Sequence, residues 1–263
     1  GYGKQNLYDL EMEVIKNETV SHGMTAKVGL KTVKLERNEN TLNCIYNYTF
    51  VINGKKIYCK GLNLTPLDLL YGTVTRKRYE NLLKLVKKAN VNIVRVWGGG
   101  LIESEDFYDL CDRLGIMVWQ EFIQSSSGIN NVPSKIPEFL KLAERTAEFA
   151  TKTRRNHVSL TVFAGGNELS SENNRIIEGQ SFEVGVDFDD KNIEMLYNVV
   201  QKNCPFIPML PSSPSGDNRC LNIGLKGHNH DVHGPWKYSG VVIIIPKSII
   251  PTAFSIRNSA ATQ

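Results

Sequence analysis

The chain has 263 residues, 41% of them apolar, enough for one large α/β domain or a barrel with a small partner and too apolar for a mostly disordered protein. Lys and Arg total 31 against 27 acidic residues, and this +4 is spread without a basic stripe or interleaved aromatics, which argues against a nucleic-acid footprint. Five cysteines in no CxxC pair and no His-Cys ligand spacing indicate neither a zinc site nor a disulfide framework, so buried free thiols are expected.

Residues 1–52 read as short strands at 7–14, 28–35 and 44–52, separated by polar breaks such as Arg37-Asn38-Glu39-Asn40. This is β-sandwich texture with too few strands to close a sandwich. Gly1-Tyr2-Gly3-Lys4 runs straight into polar residues with no signal-peptide pattern, so the start reads as a cut. The longest apolar run, 241–245, is far too short to span a bilayer. Asn17-Glu18-Thr19, Asn47-Tyr48-Thr49 and Asn63-Leu64-Thr65 fit the N-glycosylation pattern, which has meaning only in a secretory pathway and would then suit a lysosomal or secreted eukaryotic protein.

At Asn53-Gly54, a hairpin dipeptide, the rhythm changes to strand, loop, helix. A strand at 57–60 precedes a helix that Thr75 can cap, with Tyr79, Leu82, Leu83 and Val86 on one face up to Asn90. Strand 92–97 follows, then a helix over 104–114 that buries Phe107, Leu110 and Cys111 and stops at Gly115, then strand 116–119. A third helix, 136–154, leads through Asn156-His157 into strand 159–163, and a fourth, 190–202, into strand 207–210. Serial units with nearly all-apolar strands call for a parallel sheet covered on both faces, either an open wound sheet or a closed (β/α) barrel, between which periodicity does not choose.

In either architecture a ligand lies beyond the C-terminal ends of the strands. Those positions carry Arg95-Val96-Trp97-Gly98-Gly99-Gly100, Trp119-Gln120-Glu121-Phe122 and Gly165-Gly166-Asn167-Glu168. The triple glycine lacks the spacings of phosphate cradles, and a turn passing close to a bulky side chain accounts for it better. Glu168 beside Asn167 suits proton donation to a glycosidic oxygen, with a helix N-cap and first-turn glutamate as the alternative. Trp97, Trp119 and Trp236 read either as core fillers or as sugar-stacking platforms.

Together, Val51-Ile52-Asn53-Gly54, Lys60-Gly61-Leu62-Asn63, RVWGGG from Arg95, ESEDFYDLCDRLGIMVWQEF from Glu103 and GGNE from Gly165 resemble the barrel domain of retaining glycoside hydrolases of family 2, nearest to β-mannosidases. Gly1-Tyr2-Gly3 with Leu7-Tyr8 is similar to the last strands of the immunoglobulin-like sandwich that precedes that barrel, and HDVHGPWKYSG from His230 to a later active-site loop. The resemblance covers residues 1–240. It implies an α/β fold: a partial (β/α)8 TIM barrel over 53–240, preceded over 1–52 by the last strands of an immunoglobulin-like β-sandwich. It also implies Glu168 as the general acid/base of a retaining mechanism acting on terminal β-linked mannose of an oligosaccharide or glycan. Asn167, Arg95, Trp97, Glu121 and Trp236 become substrate-pocket residues, with Arg95 supporting the nucleophile and Trp97 shaping the sugar subsite, and neither metal nor organic cofactor is required. Leu64 stands where the family usually carries tryptophan, and Phe163 where tryptophan is common, departures that bear on the sugar more than on the fold. Another family 2 exo-β-glycosidase, such as a glucosaminidase or galactosidase, and a non-catalytic carbohydrate-binding protein are the alternatives.

Retention needs a second carboxylate about 5–5.5 Å from the first. The family supplies it in a Ser-Glu-Phe-Gly segment that this chain lacks, and residues 241–263 contain neither Asp nor Glu. The tail, with Val241-Val242-Ile243-Ile244-Ile245 and Ile249-Ile250, is a β-prone apolar patch foreign to what precedes it. Ser255-Ile256-Arg257-Asn258-Ser259-Ala260, encoded as TCC ATT CGG AAT TCG GCN, contains CAT TCG GAA TTC GGC, which spells His-Ser-Glu-Phe-Gly. Residues 241–263 therefore read as an out-of-frame tail after a frame error near Gly240, and the chain as an inactive fragment without its nucleophile.

Overall fold

Two largely exposed strands come first in the chain. β1 (Tyr8–Lys16) turns through Asn17 and Glu18, both at positive φ (50° and 64°), into the antiparallel β2 (Thr19–Val28). Two successive left-handed residues make the hairpin turn that follows the natural strand twist. Asn17 of the first sequon is exposed at this turn. The computed structural model describes residues 3–37, 48–125, 131–172, 175–177, 180–182 and 185–213. Cys44, Asn47, Cys220, Trp236 and the 241–263 tail lie outside them.

β3 (Val33–Arg37), β4 (Tyr48–Ile52) and β5 (Lys55–Ile57) form an antiparallel meander. The expected strand at 28–35 is thus divided: Val28 ends β2, and a break at 29–32 precedes β3. The Asn53-Gly54 turn behaves as its sequence predicts, with φ of 49° and 76°, and joins β4 to β5. The expected strand at 57–60 is displaced. Ile57 closes the hairpin, and Tyr58 to Lys60 are held instead by the Asn92 side chain, which donates to the Tyr58 carbonyl and accepts from the Lys60 amide, both at 2.8 Å.

Five parallel strands follow: β6 (Gly61–Leu64), β7 (Ile93–Val96), β8 (Met117–Glu121), β9 (Leu160–Ala164) and, after a short antiparallel hairpin of β10 (Arg175–Ile177) and β11 (Gln180–Phe182), β12 (Met209–Leu210). Helices α1 (Arg76–Lys88), α2 (Glu105–Leu114), α3 (Pro137–Arg154) and α4 (Lys191–Asn203) alternate with them. Thr75, Ser104 and Asp190 each cap a helix by accepting a hydrogen bond from a first-turn amide, and Gly115 ends α2 in the left-handed conformation at φ 67°. The strands order as β12-β9-β8-β7-β6, each laid beside its predecessor. A doubly wound sheet reverses its order at a switch point, and this one does not. The sheet is a partial (β/α) barrel. The described strands before Gly61 form a two-stranded and a three-stranded sheet, which by themselves do not amount to an immunoglobulin-like sandwich.

Strand alternation divides the core in two. Val94, Val96, Val118 and Phe163 pack outward against Leu83 and Val86 of α1, Phe107 and Cys111 of α2, Ala147 and Ala150 of α3 and Leu196 and Val200 of α4. Ile93, Trp119, Val162, Ala164 and Leu210 form the inner face, closed from below by Phe50 of β4. The meander therefore serves as the floor of the barrel. β9 bulges at Thr161, since Val118 pairs with Leu160 and Trp119 with Val162. Lys31 reaches into this irregularity and donates to the Leu160 carbonyl and to Thr161 Oγ1. Cys59, Cys111 and Cys204 are buried free thiols, and burial pushes Cys59 up to about 12 and Cys204 to about 11.

Candidate active site

The inner face that is apolar at its floor becomes polar at its mouth. Arg95 lies level with Asn63 of β6 and Trp119 of β8, and Glu121 stands one inward-facing position further along β8. Arg95 Nε donates to Glu121 Oε1 at 2.9 Å, and Nη2 to Oε2 at 3.0 Å, a bidentate pair in which Glu121 has no exposed surface and Arg95 only 3%. The remaining Arg95 donors reach Asn63 Oδ1 (3.2 Å) and Asn167 Oδ1 (2.6 Å). A fork of five donors facing three oxygen-bearing side chains leaves the guanidinium one orientation. Glu121 Oε2 also accepts the Gly98 amide at 2.8 Å, so one carboxylate fixes both the arginine and the turn after β7.

That turn carries Trp97. A Cβ on Gly99 would fall 2.1 Å from Trp97 Cζ2 and 2.2 Å from Cη2, far inside contact distance, so only glycine fits there while the indole keeps its place. A Cβ on Gly98 would meet the Gln124 and Phe122 carbonyls at 2.6 and 2.8 Å. The expectation of a close approach to a bulky side chain is met. Trp97 is half-buried at the strand end, whereas Trp119 is fully buried on the inner face and is a core filler.

Asn167 and Glu168 follow β9. Asn167 is 5% exposed, and its amide is oriented at both ends: Oδ1 accepts from Arg95, and Nδ2 donates to Ser125 Oγ at 3.0 Å. Glu168 is half-buried, adopts φ 52° and donates its backbone amide to the Ser213 carbonyl at 2.7 Å. It lies outside any helix, so the N-cap alternative does not describe it. Asn167 bridges in parallel to Ser125 on one side and Ser213 on the other, extending the barrel's ladder past the last regular strand residues. Gln124 adds a brace, donating to the Gly165 carbonyl (2.8 Å) and to Asn192 Oδ1 of α4 (2.9 Å).

The structure thus brings together Arg95, Glu121, Asn167 and Glu168, with Trp97 on the adjoining turn, while Trp236 lies outside the described residues. Glu121 bonds Arg95 and the Gly98 amide and is sealed from solvent. Sequence reasoning missed Gln124, Ser125, Ser212 and Ser213; only their position just past β8 and β12 could have signalled them. Asn63, which belongs both to the Lys60-Gly61-Leu62-Asn63 motif and to a glycosylation sequon, has its side-chain oxygen bonded to Arg95 inside the barrel mouth. Elsewhere, Glu103 is 1% exposed and its pKa is raised, burial outweighing the hydrogen bond it accepts from Tyr79 at 2.5 Å and the nearby Arg154. A cavity of about 400 Å³ lies at the opposite, N-terminal end of the strands, between the barrel base and the segment carrying Lys31. Among the described residues no group of three or more His, Cys, Asp or Glu side chains could hold a metal ion, and no helix is long and apolar enough to cross a membrane.

Residues 44–202 match the family described as glycosyl hydrolases family 2, TIM barrel domain. A beta-mannosidase B of Emericella nidulans is 31% identical over 241 residues, covering 88% of this chain and 28% of that protein. A solved beta-D-mannosidase of Dictyoglomus thermophilum superposes with a TM-score of 0.68 at 28% identity, over 89% of this chain and 28% of that one. The Amycolatopsis orientalis exo-chitosanase shares the fold, with a TM-score of 0.63 at 23% identity over 80% of this chain and 22% of that one. This chain therefore spans less than a third of the length of the relatives it matches. The match over residues 44–202, in keeping with the partial-barrel strand order, makes the chain a member of glycosyl hydrolase family 2.

Proposed function

We propose that the chain is the acid/base-bearing part of a retaining exo-β-glycosidase that removes terminal β-linked mannose from an oligosaccharide or glycan. The observation that carries this reading is the pair at the end of β9. Glu168 is half-buried at the barrel mouth, beside an Asn167 whose amide is already oriented by Arg95 and Ser125. Glu168 protonates the leaving oxygen and, in the second half of the reaction, takes the proton from the attacking water. Asn167 and Trp97 contact the sugar, and the Arg95–Glu121 pair supports a nucleophilic carboxylate that this chain does not contain. The likeness to two mannosidases favours mannose as the sugar. On the same reading residues 1–52 belong to the end of an immunoglobulin-like sandwich, and 241–263 are the out-of-frame remnant of the nucleophile segment.

The test is hydrolysis of p-nitrophenyl β-mannoside by three proteins: this chain, a full-length enzyme with the Ser-Glu-Phe-Gly segment restored, and that enzyme carrying Glu168→Ala. Turnover is expected only from the restored enzyme, with Glu168→Ala lowering it by about 10²–10⁴-fold for poor leaving groups. A folded restored enzyme that hydrolyses β-glucosaminides or β-galactosides instead reassigns the sugar. One that is inert on every β-glycoside while still binding glycans makes this a carbohydrate-binding protein.

A further inference from the structure

A non-glycine residue at φ 52° persists only where its surroundings over-determine it, and Glu168 holds that conformation at the end of β9. Its restraint comes from the segment after β12. The Ser213 amide donates to the Gly166 carbonyl at 3.1 Å, and the Glu168 amide donates to the Ser213 carbonyl at 2.7 Å. Between these backbone bonds sits one side chain. Ser212, with no exposed surface, accepts the Leu169 amide on Oγ at 3.0 Å and donates the same hydroxyl to the Gly166 carbonyl at 3.3 Å. The hydroxyl thus ties the residue two before Glu168 to the residue just after it.

We propose that Ser212 is the positioning residue for Glu168, a clasp whose hydroxyl keeps the 166–169 loop in the left-handed turn that aims the carboxyl into the barrel mouth. The proposal rests on the glycosidase reading above. Only a group that both donates and accepts can make the two bonds at once, and serine and threonine are the side chains of this size that do so. Alanine leaves the Leu169 amide and one lone pair of the Gly166 carbonyl without that partner in a place sealed from solvent, and the cheapest relief is rotation of the loop about Glu168. The Ser212 hydroxyl bonds the Leu169 amide and the Gly166 carbonyl and not the groups of Arg95, Asn167 or Trp97, so substrate binding stays as it was and proton transfer suffers. A displacement of about 1 Å at a reacting group is enough to lose on the order of 10²-fold in rate.

The experiment has two arms. In the restored full-length enzyme, Ser212→Ala is expected to lower kcat/KM about tenfold or more on alkyl β-mannosides and to leave kcat/KM on 2,4-dinitrophenyl β-mannoside nearly untouched, because that leaving group needs no proton, while kcat and KM on the dinitrophenyl substrate fall together as the glycosyl-enzyme waits for its base. Ser212→Thr restores the parent rates. In this chain as it stands, Ser212→Ala is expected to speed hydrogen exchange of the Leu169 amide with no comparable change in the β7 and β8 amides. Where alanine does not fold, Ser212→Cys, a weaker donor and acceptor, is expected to show the same selective loss on alkyl mannosides to a smaller degree. An equal loss of kcat/KM on both leaving groups overturns the positioning role, and unchanged exchange at Leu169 overturns the clasp. A parent enzyme inert on all β-glycosides overturns the glycosidase reading and the positioning role with it, while the exchange result still reports on the clasp.

Discussion

Glu121 is ionic, sealed from solvent and bonded to two guanidinium donors and one backbone amide. Burying such a pair contributes little by itself, but removing one partner strands the other charge in a medium that cannot solvate it. Glu121→Gln keeps the shape and loses the charge, offering Arg95 one carbonyl where it had two carboxylate oxygens. The expected cost is about 3–5 kcal/mol, read as a lower urea midpoint at unchanged m-value. The double change Arg95→Met with Glu121→Leu, which removes both charges, should recover most of that loss. A single change costing under about 1 kcal/mol would mean that water reaches the pair. The sequence placed Arg95, Glu121 and Asn167 at strand ends because their residue types stand out against apolar strands. The serines that orient them were not legible. Ser125 and Ser212 matter through which backbone groups the tertiary fold brings beside them, and no local pattern encodes that.

Whole elements were legible to different degrees, for physical reasons. The four helices could be read because their ends are chemically marked, by Thr75, Ser104 and Asp190 at three starts and Gly115 at one exit. β2 was missed because its residues, Thr-Val-Ser-His-Gly-Met-Thr-Ala-Lys-Val, are nearly all exposed in a two-stranded ribbon and show no buried stripe. One link between elements was also hidden in the sequence. His157, on the connection from α3 to β9, bonds Asp112 through Nδ1 at 2.7 Å and Glu105 through Nε2 at 2.8 Å, and it stacks on Tyr108 with ring centres 5.0 Å apart. All three partners lie on α2. Burial disfavours the charged ring, but the hydrogen bonds and charges of Asp112 and Glu105 outweigh it and raise the pKa above the usual 6.5, while Arg154 shares Glu105 from the end of α3. A histidine with a raised folded-state pKa contributes fully below the unfolded value and loses its contribution as pH rises through the folded one. Stability is therefore expected to fall as pH climbs from about 6.5 upward, and His157→Gln should flatten that limb by about 1 kcal/mol. Thermal midpoints of both proteins across pH 5.5 to 8.5 decide it: parallel curves would mean that the ring titrates alike in the folded and unfolded states.

At the scale of the molecule, the β3–β5 floor is joined to the barrel partly through one lysine. Lys31, on the link between β2 and β3, sends its amine under the sheet to the bulge at Leu160 and Thr161. Burial of that amine pushes its pKa down to about 7 from the ordinary 10.5, against the opposing pull of Asp112. The sign is opposite to that of His157. Between about 7 and 10.5 the unfolded chain holds a proton that the folded one lacks, so folding is favoured increasingly as pH rises through that window and least below it. One proton allows at most about 1.4 kcal/mol per pH unit, and a half-buried side chain should show less. Above neutrality the two groups thus work against each other: stability lost at His157 is offset by stability gained at Lys31, and the parent's profile should look flatter than either cause. Lys31→Met removes only the rising limb, so its unfolding midpoint is expected to fall behind the parent's progressively from pH 7 to 10. Because Asp112 bonds His157 and its charge also pulls on the Lys31 amine, the same comparison in the His157→Gln background measures how far the two titrations are coupled. A constant gap between parent and Lys31→Met at every pH would show that the amine keeps its charge in the folded state, and the lysine would then be an ordinary surface tether between floor and barrel.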